Sequence, residues 1–328
     1  MSDEGIDFAG RRLTASSAVA CVGETMALLT PHASGALAYG QDLTLTMGGA
    51  ESNVAMYLAE YGGNARWVSL LGDDALGRII LERVARSGVD VAGVELVASG
   101  ATGVYFRELT TTSRRVHYYR KGSPASRLGP ETLLLPQVAT ADVLHLTGIT
   151  PALSDSCLAL TEQALLQRAD HDPLVTFDVN WRPSLWNEDP ADLLLRLARV
   201  AHGVFVGADE AAGLWGCRRP ADIRELIPGP AFLVVKDGGR GVTVYRKADS
   251  VFVPSCKVEV VDVVGAGDAF AAGFLIGMLR GLDVVGQATL GHRTAAAALR
   301  VIGDHGPLAP SDADGSTPQM SGACKGDD

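Results

Sequence analysis

The stretch Val260–Phe270, VVDVVGAGDAF, decides how this chain is read. An apolar run over 258–264 has the composition of a strand and leads into Gly265-Ala266-Gly267 and then Asp268. Small residues follow to about Leu279, with Phe270, Phe274 and Met278 at four-residue spacing. That spacing predicts a helix, which Gly281 stops. A strand that turns through Gly-Ala-Gly into a helix leaves the first-turn backbone N–H groups without intrahelical acceptors. Those donors and the positive end of the helix dipole make an anion site. Glycine at 265 and 267 lets a ligand approach the backbone with no Cβ in the way. Asp268 then stands at the mouth of that site. A carboxylate there repels a phosphate unless its task is to take a proton from the attacking group. The pattern therefore points to phosphoryl transfer, with Asp268 aligning or deprotonating a hydroxyl. The plainer alternative is a glycine turn in which Asp268 merely starts a helix.

Working outward, a second glycine turn opens a second helix. Leu43–Met47 alternates as a short strand, Gly48 to Asn53 reads GGAESN, and Val54, Tyr57, Leu58 and Tyr61 repeat at helical spacing. Asn53 falls on the first turn, where it caps the helix or reaches a ligand. Before it, Ala18–Leu29 reads as one buried strand interrupted by Gly23-Glu24, and Glu24 is costly there unless partnered or used. A strand over 67–71 and a helix over 75–86 continue a β-α-β-α order, which predicts a parallel sheet. Short strands over 94–97, 104–109 and 115–119 then break the rhythm and predict a small separate sheet that covers a site. It carries Tyr105, Arg107, Tyr118, Tyr119, Arg120 and Lys121; a solvated strand face is the plainer reading of that set. Beyond it, strands over 143–146, 174–179, 204–206 and 232–236 alternate with helices. Asp178, Asn180 and Arg182 cluster at the C-terminal end of the second of these, where open parallel sheets bind ligands.

The chain has 328 residues, 34.2 kDa and 47% apolar residues, enough for one large α/β domain. Residues 18–310 form that domain in this reading, with β-lid segments near 30–47 and 93–120; residues 1–17 and 311–328 read as flexible tails. A formal charge of −10 speaks against nucleic acid or an anionic membrane as partner. Five scattered cysteines without a CxxC or Cys/His cluster speak against structural zinc and for a reducing compartment. No signal-peptide core stands near the N-terminus, and no run approaches the roughly 18 apolar residues of a membrane span. The expectation is a cytoplasmic protein, and exposed lid strands predict a homo-oligomer. GAGDAF lacks the third glycine of a dinucleotide fingerprint, and GxxxxGK[ST] does not occur. Phosphate chemistry must therefore use the GAGD turn itself.

These residues carry a resemblance. DVVGAGDAFAAGF is similar to the DTxGAGD signature of the ribokinase-like (PfkB) carbohydrate kinases, and GGAESNVAMYLAEYGG to that family's N-terminal Gly-Gly signature. The two occur in the family's order, and the resemblance covers roughly residues 18–305. TGVYFRE, HYYRKGSPAS, HLTGITPAL, DVNWRPSLW and GDHGP resemble most the family's 2-keto-3-deoxygluconate kinases. The resemblance implies a ribokinase-like three-layer α/β fold with a parallel sheet and a small β-sheet lid. It implies transfer of the ATP γ-phosphoryl, with Mg2+, to the 6-hydroxyl of that sugar acid. Asp268 would be the base and Gly265, Ala266 and Gly267 the anion hole. Gly49, Asn53, Tyr105, Tyr118, Arg120 and Arg182 match substrate-contacting positions. Lys236, Gly238 and Gly241 match a nucleotide-side Lys-x-Gly-x-x-Gly pattern, Glu210 the acid of an Asn-x-x-Glu motif, and His292 a position near the adenine. No residue is expected to form a protein metal site. Gly207 stands where the motif has Asn, and Val263 where the signature has Thr. In an acidic chain Arg120 and Arg182 would supply local positive charge for a carboxylate, which a neutral sugar does not need. A kinase for fructose, ribose or a nucleoside, and a non-catalytic sugar sensor on the same fold, stay open as alternatives.

Overall fold

The computed structural model describes residues 6–308 except 32–35, 110–113, 168 and 170. The chain opens on a ribbon of β1 (Ile6–Phe8) and β2 (Arg11–Leu13). Phe8 and Leu13 are buried, and Phe8 stacks on Phe232 with centroids 5.4 Å apart. A flexible tail over 1–17 is therefore not what residues 6–17 form: two apolar side chains dock the segment on the core. The tail expected over 311–328 lies outside the described residues.

β3 (Ala18–Val22) and β4 (Met26–Pro31) follow. The expected single strand over 18–29 is two strands in two sheets. Glu24 turns away to meet Arg120 and Ser123, and the carbonyl of Gly23 accepts the Trp67 indole N–H at 3.3 Å, so the backbone leaves the ladder there. Next come β5 (Leu43–Gly48), α1 (Ala50–Glu60), β6 (Asn64–Gly72), α2 (Ala75–Arg86), β7 (Asp90–Val97), β8 (Val104–Leu109) and β9 (Arg114–Tyr119). The βα rhythm resumes with a short α3 (Pro136–Ala139), β10 (Val143–Thr147), α4 (Asp155–Leu166), β11 (Leu174–Asp178), α5 (Ala191–Val200), β12 (Gly203–Gly207), α6 (Ala208–Trp215) and α7 (Pro220–Leu226). β13 (Phe232–Lys236), β14 (Gly241–Arg246), β15 (Asp249–Pro254), α8 (Ala266–Leu279) and α9 (Val284–Leu299) complete the chain.

The main sheet has nine strands in the order β15-β14-β13-β12-β11-β10-β3-β6-β7. Pairing is parallel from β13 to β7 and antiparallel at β14 and β15. Successive side chains of a strand point to opposite faces. In β3 this sends Val19 and Cys21 into one apolar cluster, with α1 and α8, and Ala18, Ala20 and Val22 into another, with α4 and α5. Helices thus cover both faces and make three layers. α8 is buried from Asp268 to Leu279, which suits a helix apolar all round.

The lid is a separate sheet of order β5-β4-β8-β9. The segment over 94–97, expected in this lid, instead belongs to β7 at the edge of the main sheet. It ends a β6-α2-β7 crossover, and Val94 and Leu96 pack on the core. The strand expected over 258–264 does not form. The amides of Val261 and Asp262 both bond to the Leu299 carbonyl, at 2.8 and 3.3 Å. Val260, Val261 and Val263 are about half exposed while Asp262 is buried. The valine run is a loop pinned by its buried acid, Asp262.

Candidate active site

The C-terminal ends of the parallel strands, the start of α8 and the underside of the lid enclose one cavity of about 520 Å3. α8 starts there because Gly265 adopts φ +77°, and a Cβ on it would stand 2.1 Å from the Asp304 carbonyl oxygen. Its first-turn N–H groups lie at the positive end of the helix dipole, although that of Ala266 also contacts the Val263 carbonyl at 3.4 Å. Gly265, Gly267 and Asp268 line the cavity, and Ala266 faces a neighbouring one.

Asp268 is buried, and two asparagines hold its carboxylate. Asn53 Nδ2 donates to Oδ2 at 2.9 Å and Asn180 Nδ2 to Oδ1 at 3.2 Å. Asn53 is therefore not a cap: Gly49 occupies the N-cap of α1, and Asn53 reaches across to α8. Asn180 sits at φ +37°, an uncommon conformation for a side-chain-bearing residue, just beyond β11. Burial raises the Asp268 pKa; the Asn53 hydrogen bond opposes this, the Asp178 charge adds to it, and Arg182 and Lys236 oppose it. A carboxylate so placed is a fixed acceptor whose proton affinity exceeds that of a free aspartate.

The lid side of the cavity presents Gly49, Tyr105, Tyr118, Arg120 and, from beyond β11, Arg182. Tyr118 stacks on Tyr105 at 5.7 Å, and the Arg120 guanidinium lies 5.7 Å from the Tyr118 ring centre. Arg120 is not a free positive charge, as the sequence reading had it: it forms a buried ion pair with Glu24, whose other oxygen accepts from Ser123. Its Nε has no hydrogen-bond partner among the described residues. Arg182 is more open, with Glu210 at 3.8 Å and the Trp181 carbonyl at 3.2 Å. Tyr105 donates to Asp304 at 3.1 Å. Asp304 also meets Arg107 Nη1 at 3.4 Å, and the other arm of Arg107 pairs with Asp262. Burial raises Asp304 to about 7 against the pull of Arg107. Arg107, Asp304 and Glu24 thus belong to the site. Glu24 was marked by its cost in an apolar run. Arg107 was named in the lid set and Asp304 lies in GDHGP, but neither was given a role, because their pairing joins distant segments.

A second cavity of about 640 Å3 adjoins the first, and Lys236, Gly238, Val263 and Gly267 line both. Gly241 and His292 line the second alone. Gly241 adopts φ +141°, and a Cβ there would strike the Val253 carbonyl at 2.3 Å. His292 Nε2 lies 3.2 Å from the same carbonyl, and its ring meets Phe270 edge-on at 5.2 Å; burial lowers its pKa. Glu210 lines the first cavity and accepts the Gly207 and Trp181 amides at 2.7 and 2.9 Å. Lys236 binds both oxygens of Asp178, at 2.7 and 3.0 Å. The residues expected on the sugar and nucleotide sides therefore fall around two cavities that meet at the start of α8.

Residues 16–311 match the sequence model of the pfkB family carbohydrate kinase. The chain belongs to the pfkB family. Its relatives among characterised proteins include the 2-dehydro-3-deoxygluconokinase of Bacillus subtilis, 34% identical over 86% of this chain and 89% of that one. That of Thermoproteus tenax is 34% identical over 88% and 90%. The crystal structure of a PfkB protein from Polaromonas superposes with a TM-score of 0.79 and 32% identity, covering 87% of this chain and 96% of the other. This pfkB carbohydrate kinase is thus an enzyme whose fold matches across nearly the whole domain. Among its described residues, no helix is long and apolar enough to cross a membrane.

Proposed function

We propose that this kinase transfers the γ-phosphoryl of ATP to the 6-hydroxyl of 2-keto-3-deoxygluconate. The observation that carries the reading is Asp268, buried and aimed by two asparagines, in a cavity with Tyr105, Tyr118, Arg120 and Arg182 that adjoins one with Gly241 and His292 across the shared Lys236, Gly238 and Gly267. The sugar hydroxyl loses its proton to Asp268 as its oxygen bonds to the γ-phosphorus. The bond from that phosphorus to the β–γ bridging oxygen breaks, and ADP leaves. Negative charge on the transferring group is met by the first-turn N–H groups of Gly265, Ala266 and Gly267. Gly49 faces the sugar, Asn53 acts on it through the Asp268 carboxylate that it holds, and His292, kept neutral by burial, faces the adenine.

Two relatives are named for 2-dehydro-3-deoxygluconate, the same sugar acid. Arg182 supports an acidic substrate, because it is the cavity arginine least committed to a carboxylate. A neutral sugar is the second reading, favoured by one observation: Glu24 already offsets the charge of Arg120. Mg2+ fits as an ion carried by the nucleotide. Among the described residues no three His, Cys, Asp or Glu form a metal cage, and Mg2+ needs only phosphates, water and one or two carboxylates. When bound it would offset triphosphate charge. A cytoplasmic setting with ATP suits this reading, and the exposed Val116 and Tyr119 of β9 offer an edge for a second copy.

Arg182→Ala tests the substrate class. The KM for the sugar acid should rise about 10–100-fold, the worth of a charged hydrogen bond of about 1.5–3 kcal/mol, with kcat and the KM for ATP little changed. An unchanged KM for the acid in this variant would contradict the assignment.

A further inference from the structure

We propose that Lys236 is a catalytic residue whose ammonium meets the transferring phosphoryl at the junction of the two cavities, and that Asp178 is the positioning residue that holds it there. The proposal rests on reading the site as a phosphoryl-transfer centre and goes beyond a nucleotide-binding role for Lys236.

Lys236 ends β13 and lines both cavities. The group in transfer must cross that junction, because Asp268 marks the acceptor on one side and Gly241 and His292 lie on the other. The position of the ammonium is fixed against the anion site itself: a Cβ on Gly267 would lie 3.3 Å from Nζ. A phosphoryl oxygen received by the Gly267 amide is therefore also within reach of this charge. A side chain at 267 would intrude on that space, which gives the glycine a second reason beyond backbone access.

Asp178, buried at the end of β11, takes hydrogen bonds from Nζ with both oxygens, at 2.7 and 3.0 Å. The two strands flank β12 in the main sheet, so the pair spans it on a rigid base. An ammonium has three N–H donors. Asp178 is the only hydrogen-bond partner of Nζ among the described residues, so a donor remains for the phosphoryl group. Glu210 and Asp268 stand near enough to add their charge, and with Asp178 they outweigh burial and keep the lysine protonated. The surrounding charge is net negative, so an incoming phosphoryl group needs this cation. Removing Lys236 would leave Asp178, Glu210 and Asp268 facing the transferring group without an ammonium between them. Lysine here stabilises charge and forms no bond to phosphorus.

The test uses the full-length enzyme and whichever sugar the wild type phosphorylates fastest. A wrong substrate assignment then shows in the wild-type sugar preference, and a wrong role for Lys236 shows in variant-to-wild-type ratios. Lys236→Ala should lower kcat about 10²–10³-fold, the size of losing one preorganised donor, with both KM values nearly unchanged. Lys236→Arg, which keeps a cation, should recover part of the loss. Asp178→Asn should lower kcat about 10–100-fold, again without a matching rise in KM. Binding gives a second readout. Wild type should bind ADP more tightly when aluminium fluoride and the sugar are present, and Lys236→Ala should lose that gain while its affinity for ADP alone is kept. If Lys236→Ala does not fold, the charge-balanced Lys236→Met/Asp178→Asn pair takes its place with the same expectations. The proposal fails if kcat survives in these variants, or if the whole loss appears as a raised KM for ATP.

Discussion

Asp268 owes its position to three segments that the chain order keeps far apart. Asn53 from α1 and Asn180 from beyond β11 hold its two oxygens, and the turn at Gly265 sets its height above the helix end. Neither asparagine removes charge, so the carboxylate stays a proton acceptor with its direction fixed. Asp268→Asn should lower kcat roughly 10²–10⁴-fold, the usual worth of a general base, with the unfolding transition unchanged. Steady-state kinetics beside a thermal melt checks this; near-wild-type turnover would remove Asp268 from the proton path. At this scale much of the site was legible in sequence. A lone acid after Gly-Ala-Gly is chemically odd, and that oddness found Asp268. Asn53 was seen but remained ambiguous between cap and ligand contact. Arg107 and Asp304 were illegible as partners, because an ion pair between distant segments leaves no local pattern.

At the scale of elements, the lid is bound to the anion site by charge. Arg107 reaches from β8 to Asp262, in the loop before α8, and to Asp304, whose carbonyl packs against Gly265. Asp262 thus has a structural role that its neighbouring valines disguised. Both side chains of the Arg107–Asp262 pair are almost fully buried, at 3% and 2% exposure. Removing one partner of such a pair leaves an uncompensated charge and costs about 3–5 kcal/mol. Arg107→Met should therefore lower stability by that order in denaturant unfolding. Arg107→Met/Asp262→Asn should recover part of it, because one stranded carboxylate is then gone. Equal stability of the single variant and the wild type would show that the pair does not hold the lid. The loop over 258–264 shows why element boundaries were read less well. Valines favour a strand when they have a neighbour to pair with, and here the two amides at 261 and 262 turn to one carbonyl of α9.

For the whole molecule, the alternation of strand and helix was enough to predict a parallel sheet, because each βα unit announces itself by period and glycine turns, whereas the three layers were implied by the family resemblance. The division of strands between sheets was not. Ala18–Leu29 is one apolar run in sequence, but Glu24 splits it between the main sheet and the lid. Phe8 and Leu13 looked like part of a polar tail because their partners, Phe232 among them, lie far along the chain. The resulting architecture puts an arginine-bearing lid over one cavity, a glycine-lined cleft beside it, and Asp268 in the first cavity next to the Gly267 that lines both. The central claim is that this arrangement serves a sugar acid. It is tested most directly by measuring ADP release from ATP across 2-keto-3-deoxygluconate, its galactonate epimer, fructose and ribose, with the phosphorylated position read from the product by NMR. The account predicts fastest turnover on a keto-deoxy sugar acid, with phosphate on the 6-oxygen. Good turnover of fructose or ribose with none of either acid would contradict it.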